Sequence, residues 1–285
     1  MKSQFHTLSE TTKEKDIMKT LNNNYSILAL DWFDIQFTWL TEAYKYFKDH
    51  DKYLILVFIV KKTFDHYSKN YVNFTIQEFY NLEKIEIEKF NIIEISKALN
   101  ISRETTRRKV YELENKGIIK TNKKNILVEK NAFDLQKPTM IINRVASFLN
   151  KLSKICVNNN ILKYEITKDQ LNKTAEKRFS HIWKLWYDML IPNMVEHKNL
   201  HKDLETFHIW GSVVMNQTYE TNKYLSKNKI TISNKSEYIK LLTNIDEVTG
   251  INAMSISSLT GIPRATVIRK LQSLINNKIV FIDKK

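Results

Sequence analysis

A chain of 285 residues with 42% hydrophobic and 11% aromatic side chains is long enough for two domains with cores of their own, which excludes a disordered or fibrous polymer. Only four glycines and three prolines exclude a large loop-rich β architecture and point to helices. The formal net charge of +14 suits a polyanionic partner, although a Lys-, Asn- and Ile-rich composition dilutes that signal.

The opening MKSQFHTLSETTKEKD is polar and lacks an apolar signal-peptide core, so residues 1–25 read as an N-terminal arm. From Tyr25 to His50, the residues Leu30, Phe33, Phe37, Leu40, Tyr44 and Phe47 recur at helical spacing. Asp51 offers a cap for a second helix through His66, whose centre, Tyr53 to Val60, is apolar all round and too short to cross a bilayer. Ser68 to Ile76 (SKNYVNFTI) alternates β-branched and aromatic residues and predicts a strand; Gln77 to Phe90 predicts a Glu- and Lys-rich helix. Ile118 to Glu129 reads as two strands around the polar turn NKKN, and 131–138 as a linker. Met140 to Val157, Tyr164 to Lys177, Phe179 to Leu190 and Leu204 to Leu225 follow as helices, with Pro192 ending or kinking the third. Ser226, Lys227 and Asn228 repeat the tripeptide of Ser68 to Asn70, and KITIS after them predicts another strand.

Two stretches match. Ile95 to Lys120 (ISKALNISRETTRRKVYELENKGIIK) reads as a short helix, a tight turn at Asn100, a second helix capped by Ser102 and a strand from Ile118. Ile256 to Phe281 (ISSLTGIPRATVIRKLQSLINNKIVF), 161 positions on, aligns without a gap and is identical at ten positions. That order of elements is a winged helix-turn-helix. The predicted fold is therefore mainly α with short β wings, as tandem winged helix-turn-helix domains from an internal duplication, spanning 26–130 and 139–285. Apolar residues fall where the paired helices should cross: Ile95, Ala98, Leu99, Ile101, Val110 and Leu113, with Thr106 in place of an aliphatic, then Ile256, Leu259, Ile262, Val267, Leu271 and Leu274. Gly261 supplies the second turn and Pro263 suits a first helical position.

With those faces buried, Arg103, Glu104, Arg107 and Arg108 project from the other side of the first reading helix. Arginine pairs bidentately with guanine in the major groove, and glutamate accepts from the cytosine amino group. Ser102, Thr105, Lys109 and the wing lysines Lys120, Lys123 and Lys124 suit phosphate contacts. The second copy offers Arg264, Thr266, Arg269 and Lys270. SRETTRR resembles the recognition helix of the cyclic-AMP receptor family, whose Arg-Glu-three residues-Arg pattern falls on Arg103, Glu104 and Arg108. The resemblance covers about 26 residues and implies a G/C-containing half-site read by those three side chains. Nothing upstream resembles that family's Gly-rich β-roll, so cyclic-nucleotide control is not implied. The second stretch (GIPRATVIRKL) is similar to winged helices of many bacterial regulators, but Ala265 replaces the Glu and Ile268 an Arg, so the two heads should differ in stringency. Too few residues follow Ile282 for a return strand in the second wing.

The sequence thus predicts a sequence-specific transcriptional regulator, cytoplasmic and nucleoid-associated, with no membrane partner, cofactor or metal and no enzymatic role. Its partner would be double-stranded DNA, with a second copy or the transcription machinery beside it. The alternatives are a plasmid or phage replication initiator with tandem winged helices, and a winged-helix assembly module that binds no DNA. Cys156 has no partner for an internal disulfide. His197 and His201 form an EHxxxH pair lacking a third ligand, and Trp183, Trp186, Tyr187, Phe207 and Trp210 are spaced as core. Gly-rich phosphate loops are absent.

Overall fold

The computed structural model describes residues 13–88, 91–121, 125–130, 138–232, 234–245 and 249–282. Among them are thirteen helices and three strands. The first half runs α1 (Glu14–Asn23), α2 (Tyr25–Phe47), α3 (His50–Lys69), α4 (Ile76–Tyr80), β1 (Lys84–Glu88), α5 (Ile92–Leu99), α6 (Arg103–Asn115), β2 (Ile119–Thr121) and β3 (Asn125–Glu129). The second runs α7 (Thr139–Asn158), α8 (Lys168–Lys177), α9 (Phe179–His201), α10 (Leu204–Lys227), α11 (Lys235–Asn244), α12 (Ala253–Thr260) and α13 (Arg264–Asn276). Among the described residues no helix is long and apolar enough to cross a membrane.

The chain divides into two compact units that do not follow chain order. One draws on the described residues of Met1–Phe37, Ile141–Asn172 and Val213–Ile251. Its helices are joined by Tyr238, whose ring meets Tyr25 edge-on at 5.9 Å and whose hydroxyl donates to Asn222 at 2.6 Å. Lys151 to Asp31 at 2.7 Å and Arg144 to Asp34 tie α7 to α2.

The other unit draws on the described residues of Thr38–Met140, Lys173–Ser212 and Asn252–Lys285. Its centre is the apolar run of α3, buried from Tyr53 through Val60. Phe64, Phe79, Phe179 and Trp183 stack in sequence, with ring centroids 5.1, 5.3 and 5.6 Å apart, and so fasten α4 and α9 to α3. The antiparallel sheet has the order β1-β3-β2, with Val128 opposite both Ile85 and Ile119. That row of three is buried, which sets the register: slipping one residue would turn all three to solvent.

Three sequence expectations are corrected. Residues 68–76 form no strand, because α3 continues to Lys69 and a turn leads to α4. The strand lies instead at Lys84–Glu88, inside the stretch expected to be helical, where β3 supplies its partner. KITIS shows no strand among its described residues. Of the two outcomes expected at Pro192, only the ending is set aside: helix α9 runs through it to His201, with Leu190, Ile191 and Met194 buried around it. A smaller shift concerns the α3 cap, which is Asp49 rather than Asp51: its side chain accepts from the Asp51 N–H at 2.9 Å and the Lys52 N–H at 3.2 Å.

Candidate nucleic-acid interface

Both matched stretches fold into a pair of helices around a left-handed turn, and most of their hydrogen bonds recur at matched positions. Asn91 caps α5 by accepting from the Ile93 N–H at 3.0 Å; Asn252 caps α12 by accepting from the Ser255 N–H at 2.9 Å. The turns are Asn100 (φ 48°) and Gly261 (φ 70°), the two residue types that enter this region at least cost. Across each turn a serine holds the chain: Ser96 donates to the Ile101 carbonyl at 2.6 Å and Ser257 to the Ile262 carbonyl at 2.7 Å. At the exits, Gly117 and Lys278 adopt φ 64° and 57°, and the Ile118 and Ile279 N–H groups return to Leu113 and Leu274 at 3.1 and 2.9 Å.

Differences are confined to the edges. Ser102 caps α6 through the Thr105 N–H at 3.2 Å, whereas Pro263 is the N-cap residue of α13 rather than its first helical residue and offers no side-chain acceptor. After the first exit, β2 and β3 make a hairpin that Glu114 anchors to α6 by accepting from the Thr121 N–H at 3.1 Å. After the second exit, Ile279–Ile282 form no strand, and Phe281 is 80% exposed.

Ile95, Leu99, Ile101, Thr106, Val110 and Leu113 are buried in the first pair, and Ile256, Thr260, Ile262, Val267 and Leu274 in the second. Ala98 and Leu259, expected in the crossing, are exposed. Thr260 takes the inward place of Leu99, satisfied by donating its hydroxyl to the Ile256 carbonyl at 2.7 Å.

The outward face of α6 carries Arg103, Glu104, Arg107 and Arg108, all exposed. Arg107 lies 3.8 Å from Glu104, and Arg108 3.8 Å from Glu112; such exposed pairs contribute about 0–1 kcal/mol and yield readily to a ligand. Lys52, at 2.8 Å, is the stronger partner of Glu112 and holds its carboxyl below the usual range. Ser102 is exposed and Thr105 half-buried; the Ser102 hydroxyl donates to Thr105 Oγ1 at 2.8 Å. On α13, Arg264 and Arg269 are exposed and Thr266 is half-buried. Lys120 is exposed and pairs with Glu129 at 3.0 Å. Lys123 and Lys124 lie outside the described residues.

Lys109 and Lys270, expected on phosphates, point the other way. Each is 7% exposed, because it shares the inward face of its helix with the residues that pack beneath the turn. The Lys109 ammonium pairs with Asp49 and stands 3.9 Å from Asp51. Lys270 meets both Asp203 oxygens at 2.7 Å, Thr206 Oγ1 at 3.0 Å and Glu205 at 3.6 Å. Asp203 also accepts from the Thr206 N–H at 2.7 Å, so each lysine is bound to a carboxylate that caps a helix start. Burial works to raise the Asp203 carboxyl, but Lys270 and Thr206 hold it below its ordinary value. Glu205 is raised by burial, since the one ammonium is taken by the nearer carboxylate. The sequence did carry a signal for these partners: Lys48-Asp49-His50-Asp51 and Lys202-Asp203-Leu204-Glu205 match, with Lys48 and Lys202 at φ 50° and 73°.

Among the described residues no group of three or more His, Cys, Asp or Glu could hold a metal ion. His197 is instead stacked on Phe207 at 3.9 Å, and His201 lies tilted against Trp210 at 4.7 Å. Set against known proteins, the chain matches no family model, no curated protein and no solved structure.

Proposed function

We propose that this chain is a sequence-specific double-stranded DNA-binding protein, a transcriptional regulator with two helix-turn-helix modules derived by duplication, the first completed by a wing. The observation that carries this reading is the division of cations on α6. Lys109 is consumed inside by Asp49, while Arg103, Arg107 and Arg108 stand in solvent with a glutamate among them, on a helix capped at its start and fixed by a turn. A rigid helix with three exposed guanidinium groups, two of them held only by long, exposed ion pairs, suits the donor geometry that guanine edges require. The repeated caps, turns and serine bridges support the duplication, and α13 presents Arg264 and Arg269 from the same positions as Arg103 and Arg108. In this reading the protein is not an enzyme and needs no cofactor.

The test is Arg108→Ala, measured by fluorescence anisotropy on duplexes that differ at single base pairs. Loss of about 1–3 kcal/mol of discrimination at one position is expected. Equal weakening on every duplex would assign Arg108 to the backbone. Wild-type affinity that does not fall as salt rises would refute DNA binding, because phosphate neutralisation releases counterions.

A further inference from the structure

Each reading helix pair is tied to both helical hairpins of its unit, α2/α3 and α9/α10, and the two sets of ties exchange. Within a copy, Lys109 binds Asp49 ahead of α3, and Lys270 binds Asp203 ahead of α10. Between copies, the turn residue Asn100 donates to Asn199 of α9, while a Cβ placed on its counterpart Gly261 would stand 4.0 Å from Tyr44 of α2. The hairpins themselves meet reciprocally. Lys198 of α9 binds Asp51 of α3 at 2.9 Å, and Glu205 of α10 lies within electrostatic reach of Tyr44 of α2, where its carboxylate adds to the effect of burial in raising the phenol. Lys198 is the counterpart of Tyr44 and Glu205 that of Asp51, each 154 positions on. The N-terminal ends of α3 and α10 meet at the rings of His50 and His208, edge-on with centroids 5.2 Å apart.

When residue i of one copy meets j of the other, and the counterpart of j meets the counterpart of i, the copies are related by a two-fold axis. Copies related by translation would not exchange contacts in this way. We infer that an internal two-fold axis relates the two reading heads, so that one chain reads a single inverted DNA site of fixed spacing and unequal halves. This rests on the DNA-binding reading above. A dyad between heads matches the dyad of the duplex, so the half-sites run in opposite directions. The spacing is fixed because each head is bolted at both its turn and its reading helix rather than hung on a linker. The halves are unequal because Ala265 and Ile268 stand where the first head has Glu104 and Arg107.

The test begins with a site selected by the wild-type protein from a random duplex pool. Three derivatives follow: the weaker half reversed in direction, the spacer lengthened by about five base pairs to turn the halves to opposite faces, and the weaker half scrambled. Native mass spectrometry should give one chain per duplex, and all three derivatives should bind about tenfold or more weakly than the selected site, to equal extents. Arg264→Ala/Arg269→Ala, which alters only exposed side chains, should bind all four alike. Tight binding to the direct-repeat derivative, two chains on one inverted site, or continued discrimination by the double variant would overturn the two-fold while leaving DNA binding intact. No salt-sensitive binding to any pool member would remove both.

Discussion

Lys270→Met separates a buried scaffold lysine from a phosphate-binding one. Methionine keeps the apolar stem buried and deletes only the ammonium, which leaves Asp203 with its helix-capping bond to Thr206 but without its countercharge. Removing one partner of a fully buried pair costs about 3–5 kcal/mol, whereas an exposed pair contributes about 0–1. Here the lysine side chain is 8% exposed and the Asp203 side chain 46%, so water screens one end of the interaction. The expected loss is about 2 kcal/mol, and Glu205 does not offset it, because the same ammonium also holds that carboxyl down against burial. For a chain of this size that lowers the thermal midpoint by about 5 °C in circular dichroism. The second assay is DNA affinity against salt, at a temperature where the variant is folded. A lysine on phosphate would reduce the slope of log K against log salt by about 0.9; the structure requires no change. An unaltered midpoint with a reduced slope would refute the inward placement.

Two further perturbations probe the elements that hold the heads. Burial holds the His50 imidazole down to about 4, against the pull of Asp49 and Asp203, and His208 is lowered as well. As pH falls from about 6.5 to 4 the unfolded chain takes up a proton that folded His50 refuses, so stability present above that window is lost by about 3 kcal/mol. His50→Leu, which installs the residue found at the counterpart Leu204, should lessen the fall of the urea midpoint over that pH range and leave the part carried by His208; an unchanged profile would contradict the assignment. Ser102→Ala removes the acceptor for the Thr105 N–H and should cost about 1 kcal/mol, read as a fall of about 2–4 °C in thermal midpoint with the α6 arginines untouched.

The long helices were legible because their periodicity is local: α2, α7 and α10 follow the apolar spacing from Tyr25, Met140 and Leu204 onward. The strand assignments failed where the deciding partner is distant. KIEIE at β1 alternates as a strand should, but its Glu- and Lys-rich neighbourhood also fits a helix. Pairing with β3, about 40 residues on, settles the competition. Residues 68–76 alternate as well, yet no strand lies opposite them, and the α3 helix simply overruns the first of them. Pro192 shows the same principle in reverse, since burial of the residues beside it outweighs the lost backbone donor.

The two helix pairs were legible for the same local reason, and the direction of Lys109 and Lys270 was misread for the converse one. Their carboxylate partners lie 60 and 67 residues away, and a residue's type does not state its direction. Matched Ile95/Ile256, Ser96/Ser257, Ile101/Ile262, Lys109/Lys270 and Leu113/Leu274 all pack, bridge a turn or fill an ion pair, so folding alone accounts for their identity. Asn115 and Asn276 close their helices ahead of a left-handed turn. No such demand falls on Arg103/Arg264 or Arg108/Arg269, which stand in solvent. Between them the outward positions have diverged freely, Glu104 to Ala265 and Arg107 to Ile268. A cation kept at two exposed positions in both copies, on a face otherwise changed, is what the DNA-binding reading proposed above expects, and five residues, about 7.5 Å along the helix axis, set the two guanidinium groups roughly two base steps apart.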